Sequence, residues 1–176
     1  MLDIGCGPGG DSAALLESGH AVVALDLNQT SLLRCRAVAP GALLVRTDVR
    51  SPLPFRSAIF EGALASLSLH YFDWATTRRA FADIHRVLQP GSPFLFRVNA
   101  DDDVNFGAGT GTQIEPGFFR VAPESGPFGE PLKRFFTEGM MRAVLDNGWS
   151  IETLRHETIA RYGSFKQTWK CLARRS

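Results

Sequence analysis

Cysteine is scarce in this chain of 176 residues, with only Cys6, Cys35 and Cys171 present. An odd number without CxxC spacing implies neither a disulfide framework nor a zinc motif, and the expected compartment is a reducing cytoplasm. No apolar run approaches the length of about eighteen residues that a membrane-spanning helix requires. Charge of one sign is also lacking: 19 basic residues face 18 acidic ones, so strong capture of nucleic acid or anionic lipid is not expected. Met1 to Gly5 carries no basic or apolar leader pattern, so no secretory signal is expected there. HExxH, GxSxG and GKS/T are missing, which removes the sequence signatures of a zincin, a serine hydrolase and a P-loop enzyme.

The chain does have an ordinary globular balance, 44% hydrophobic and 21% charged residues. Its length fits one domain of about 150 residues, so residues 1–176 are read as a single domain. β-rich runs alternate with helical stretches through the first hundred residues. Strands are expected at Leu2–Ile4, Ala21–Leu25, Leu43–Val45, Ile59–Ser66 and Pro93–Val98. Helices are expected at Asp11–Ser18, capped by Asp11, at Thr30–Val38 and at Trp74–Leu88. This rhythm implies an α/β, doubly wound Rossmann-like sheet with five parallel strands. Thr137–Asn147 reads as a further helix. Trp149–Ala160 and Phe165–Ala173 read as an antiparallel hairpin around Arg161–Ser164. Residues 100–131, dense in glycine and proline, are expected to form an irregular loop that closes over the site as a lid.

Gly5-Cys6-Gly7-Pro8-Gly9-Gly10 joins the first strand to the first helix. Glycines there permit a tight turn and close approach of a ligand to the backbone. Positions 5, 7 and 10 fit GxGxxG, and Asp26 follows about twenty residues on. On spacing alone a nicotinamide-dependent oxidoreductase remains an alternative.

Leu2-Asp3-Ile4-Gly5-Cys6-Gly7-Pro8-Gly9 resembles the first motif of the class I S-adenosylmethionine-dependent methyltransferases, including the acid two residues before the first glycine. Val23 to Asn28 is similar to their second motif, Thr47-Asp48-Val49 to their third, and Val87 to Ser92 to the turn before their fifth strand. The terminal hairpin resembles their strands six and seven, implying the order 3-2-1-4-5-7-6. Ser68 to Phe72 and Trp169 to Arg174 resemble small-molecule members of the tellurite-resistance type.

The resemblance implies S-adenosyl-L-methionine as cofactor and a small-molecule methyl acceptor as partner. It implies cofactor contacts from Asp3, Gly5, Cys6, Gly7, Gly9, Asp26, Leu27, Asp48, Val49 and Ser66. Asp26 would hold the ribose diol, Asp48 the adenine, and Asp3 the region of the methionine ammonium. His70 is the candidate proton-handling residue, although a wall-forming role is the plainer one. Tyr71, Phe72 and Asp102 are candidate acceptor contacts. Asp101, Asp103 and Asn105 start like a calcium loop, but Phe106 and Thr112 stand where Gly and Glu are required, so no metal is expected. The basic residues Arg161, Lys166, Lys170, Arg174 and Arg175 are expected on a solvated face. A cofactor-binding protein without catalysis is the other alternative. Because Met1 lies only four residues before Gly5, the first strand is expected to lack a covering helix. A truncated N-terminus and a homodimer over the exposed patch are the corresponding expectations.

Overall fold

The computed structural model describes residues 1–121, 132–161 and 163–176. In chain order the elements are β1 (Leu2–Ile4), α1 (Gly10–Glu17), β2 (Val23–Asp26), α2 (Gln29–Val38), β3 (Leu43–Arg46), β4 (Ala63–Ser66), α3 (Trp74–Val87) and β5 (Pro93–Asn99). A 3-10 turn at Val104–Phe106 follows. Then come β6 (Thr112–Glu115), β7 (Phe118–Arg120), β8 (Leu132–Arg134), α4 (Glu138–Val144), β9 (Trp149–Arg161) and β10 (Ser164–Arg175).

Seven strands form one sheet in the order β3-β2-β1-β4-β5-β10-β9. The first five run parallel, and β10 lies antiparallel to both β5 and β9. Burial on both faces suits the apolar β2 run. α3 turns Ala80, Phe81, Ile84 and Val87 inward at helical spacing. Phe81 there meets Phe94 and Phe96 of β5 edge to face, with ring centroids 5.8 and 5.0 Å apart. Asp73 caps this helix through Thr76 N–H at 2.7 Å.

Four sequence expectations need correction. First, α1 is preceded by Gly9 as its cap, and Asp11 lies within its first turn. Second, the fourth strand is shorter than Ile59–Ser66: Phe60 only bridges to Leu88, and regular pairing begins at Ala63. Third, residues 100–121 are not irregular throughout. β6 and β7 pair antiparallel around Pro116-Gly117, and β8 completes a three-stranded sheet. The turn residues were legible there, while the short strands they join were not. Residues 122–131, the rest of the expected lid, lie outside the described residues, as does Tyr162 in the expected hairpin turn. Fourth, β1 is not left bare, because Leu2, Asp3 and Ile4 are all buried. The thinly covered stretch of sheet lies instead over Leu64, Leu95 and Leu172, half-buried residues in register across β4, β5 and β10.

Candidate functional site

The C-terminal ends of β1, β2 and β3 open into a cavity of about 560 Å³. Open parallel sheets place their ligands at this edge. β1 is followed by Gly5, whose N–H, like that of Cys6, donates to Leu25 O. Gly5 has φ +71, and a Cβ on it would run into the Ser68 side chain. Only glycine therefore lets the turn pass beneath the segment after β4. Gly7 N–H donates to Asp26 Oδ2 at 2.9 Å, and Asn28 N–H donates to Asp26 Oδ1 at 2.8 Å. One carboxylate thus ties the glycine turn to the end of β2. Asn28 in turn caps α2 through Thr30 and Ser31.

Of the residues singled out by sequence, Gly5, Gly7, Asp26, Leu27, Asp48, Val49 and Tyr71 line this cavity. The others do not. Cys6 packs into an apolar cluster with Cys35, and burial pushes its thiol pKa far up. Gly9 owes its identity to packing: at φ +93 a Cβ would press on the Cys35 backbone and sulfur. Gly9→Ala should therefore destabilise the fold by about 2–5 kcal/mol, combining left-handed strain with overpacking. An unchanged midpoint in urea would contradict that account. Ser66 faces a separate hollow of about 130 Å³ with Asp11, Arg97 and Lys170. Phe72 is buried in the main core. Asp102 is exposed and pairs with His156 Nε2 at 2.8 Å.

His70 is buried, its Nδ1 has no hydrogen-bond partner among the described residues, and its ring lies 4.3 Å from that of Tyr71. Burial first, then the charges of Lys166 and Lys133, holds its pKa well below the usual imidazole value. Lys166 departs from the expected solvated face. It is almost fully buried and donates to Asp103 Oδ2 at 2.5 Å, with its ammonium over the Phe106 ring.

Asp48 accepts from the backbone and side chain of Arg50, and those hydrogen bonds hold its carboxyl below the ordinary range. Asp3 is buried beside α1 and accepts from Ser12 Oγ at 2.5 Å. Burial dominates its titration and pushes its pKa up to about 6, with Asp11 and Asp26 adding to the rise. The folded chain therefore holds this proton more tightly than the unfolded chain does. Stability from this group is greatest at low pH and falls as pH rises from about 4 to about 6. Relative to Asp3→Asn, which cannot ionise, the wild type should lose about 3 kcal/mol across that window. Parallel pH–stability curves for the two proteins would contradict the assignment.

Sequence reasoning missed the lining residues Arg46 and Leu67, and gave Thr47 and Ser68 a place in a motif but no role in the site. Arg46 stands opposite Asp26 in register on β3 and reaches Leu27 O at 3.1 Å. Leu67 has φ +58, and this left-handed residue turns Ser68 back so that its Oγ donates to Ile4 O at 2.6 Å. No local sequence signal marks that turn. The pairing of Arg46 with Asp26 was open to inference from the parallel register.

A sequence model of the methyltransferase domain matches residues 2–96. This chain belongs to that methyltransferase family. A malonyl-[acyl-carrier protein] O-methyltransferase of Enterobacter lignolyticus is 32% identical over 104 residues, 59% of this chain and 40% of that relative's length. The chain thus spans less than half of that relative. A crystal structure of an S-adenosylmethionine-dependent methyltransferase from Methanosarcina mazei superposes with a TM-score of 0.83 at 22% identity, covering 99% of this chain and 91% of the other. A Burkholderia thailandensis 1,6-didemethyltoxoflavin-N1-methyltransferase, solved with S-adenosylhomocysteine, gives 0.73 at 25% identity, covering 99% and 70% respectively. Methyltransferase membership replaces the nicotinamide alternative, and S-adenosylmethionine is the cofactor of the class. Among the described residues no helix is long and apolar enough to cross a membrane, and no cluster of three metal-ligating side chains occurs.

The cavity fits this cofactor. Its volume lies in the range of about 300–1,000 Å³ usual for ligand sites. A Cβ on Gly7 would point into open space, which leaves the backbone of the turn accessible. Two carboxylates, Asp26 and Asp48, offer hydrogen-bond acceptors along its wall.

Proposed function

We propose that this chain catalyses methyl transfer from S-adenosylmethionine to a small-molecule acceptor. The observation that carries the reading is the Gly7–Asp26–Asn28 arrangement at the cavity floor, which presents one carboxylate on a fixed turn. Asp26 would hold the ribose hydroxyls, while Asp48 and Val49 would flank the adenine. Asp3, behind the turn, is a positioning residue for the charged amino-acid end. Bound S-adenosylmethionine supplies a methyl carbon already activated by its sulfonium.

The remaining task of the chain is alignment, which can lower a barrier by about 7–11 kcal/mol when the reacting atoms are held in line. Ser68 and Tyr71 border the cavity on the side of β4 and β5. An acceptor entering there would approach across Tyr71. His70, buried and neutral, suits a wall-forming or hydrogen-bonding role better than that of a strong base. The O-methyltransferases among the relatives support oxygen as the methylated atom. The cytoplasm remains the proposed compartment.

Incubation with methyl-tritiated S-adenosylmethionine and a panel of hydroxylated, aminated and thiol-bearing small molecules tests the reading. Transfer of label to at least one hydroxylated acceptor, abolished by excess S-adenosylhomocysteine, is the expected result. Tight cofactor binding with no transfer to any acceptor would favour the non-catalytic alternative.

A further inference from the structure

Among the described residues, Arg46 is the one lysine or arginine lining the large cavity, whose carboxylates are Asp26 and Asp48. It ends β3, directly opposite Asp26 at the end of β2. Its Nε donates to Leu27 O at 3.1 Å, which ties this exposed side chain to a residue that also lines the cavity. Neither carboxylate forms an ion pair with it among the described residues. Asp26 instead accepts from Gly7 and Asn28 N–H, and Asp48 is paired with Arg50. A guanidinium carries five N–H donors in one plane, and the contact to Leu27 uses one of them. Arg46 thus brings a flat cation to the cavity wall without a carboxylate to hold.

The charges of the cofactor do not account for this cation. Its carboxylate belongs to the amino-acid end, which the methyltransferase reading places by Asp3 on β1. In the order β3-β2-β1 that lies two strands from Arg46, or about 10 Å at the usual strand spacing. The end that reaches β2 and β3 is the neutral nucleoside. A purine there calls for a flat partner. Leu27 and Val49 offer aliphatic surface, and Tyr71, the one aromatic residue among the described lining residues, stands beyond β4. A guanidinium is planar and weakly hydrated, and it stacks on the faces of aromatic rings.

We infer that Arg46 binds the nucleoside of the cofactor, laying its guanidinium plane against the face of the adenine while Asp48 meets the amino edge of the ring. This rests on the methyltransferase reading and adds a residue that sets nucleoside affinity. An arginine at the end of an edge strand carries no distinguishing signal in the sequence.

The test is calorimetric titration with S-adenosylhomocysteine and with 5′-methylthioadenosine, which keeps the nucleoside and lacks the amino-acid end. Arg46→Ala should weaken both by about tenfold, the scale of a cation–ring contact covered by ligand. Arg46→Lys keeps the charge without the plane and should lose nearly as much. Arg46→Tyr restores a flat surface and should return both affinities to within about threefold of wild type. Because the side chain is exposed, the urea midpoint of Arg46→Ala should match that of wild type. Wild-type affinity in Arg46→Ala, full rescue by Arg46→Lys, or a loss seen with S-adenosylhomocysteine but not with 5′-methylthioadenosine overturns the assignment. So does an affinity loss that comes with a lowered midpoint, which would make Arg46 a prop of the fold. Failure of the wild type to bind S-adenosylhomocysteine shows itself before any variant is made and overturns the reading on which the assignment rests.

Discussion

Arg134→Ala should be the most destabilising of the substitutions considered, at about 3–5 kcal/mol, the scale for truncating a large, fully buried side chain together with its hydrogen bonds. The Arg134 side chain is fully buried. Its Nε donates to Phe72 O at 3.0 Å, one terminal nitrogen donates to Pro116 O at 3.2 Å, and the other pairs with Glu115. The guanidinium also lies over the rings of Trp74 and Phe118, at 5.3 and 5.1 Å. One side chain thus joins the small sheet, the start of α3 and the segment after β4. Truncation would take a donor from three acceptors, of which Glu115 and Phe72 O keep contacts to Trp74 and Thr77, and would leave a void where the buried side chain stood. Arg134→Lys should recover only part of the loss, since a single ammonium cannot reproduce the planar fork. Urea unfolding of the two variants measures this, and a loss below about 1 kcal/mol, the scale of a surface pair, would show that the small sheet is held by other contacts.

Asp26→Ala should weaken S-adenosylhomocysteine binding by about 1.5–3 kcal/mol, or about 10- to 150-fold. The substitution removes the proposed ribose acceptor, and it also frees Gly7 and Asn28 N–H groups that now hold the turn. Asp26→Asn separates these effects. Its single side-chain oxygen can still accept from one of the two amides, so the turn is partly kept while the charge is lost. An affinity between those of Asp26→Ala and wild type is expected. Wild-type affinity in a folded Asp26→Ala protein would remove Asp26 from the cofactor site.

The parallel sheet was legible because each of its strands is bracketed by glycine, proline or a helical pattern. The Ala21–Leu25 run that ends in β2 is in particular continuously apolar, of the kind buried on both faces. The floor of the cavity was legible for a related reason: Gly5, Gly7 and Asp26 are read from spacing within one strand-turn-helix-strand unit, β1 to β2. What escaped depends on distant segments. Gly9 looks like a ligand glycine until α2 brings Cys35 against it. Lys166 sits in a run of alternating basic residues, and only the return of Asp103 from beyond β5 makes its burial tolerable. β6 and β7 were hidden by the glycines and the proline at their turns.

The central claim is that the cavity above Gly7 and Asp26 is an S-adenosylmethionine site. Calorimetric titration of the same protein with S-adenosylhomocysteine and with NADH tests it most directly. The account predicts saturable one-to-one binding of S-adenosylhomocysteine, weakened in Asp26→Ala, and no heat from NADH beyond dilution. Saturable NADH binding without a response to S-adenosylhomocysteine would contradict it.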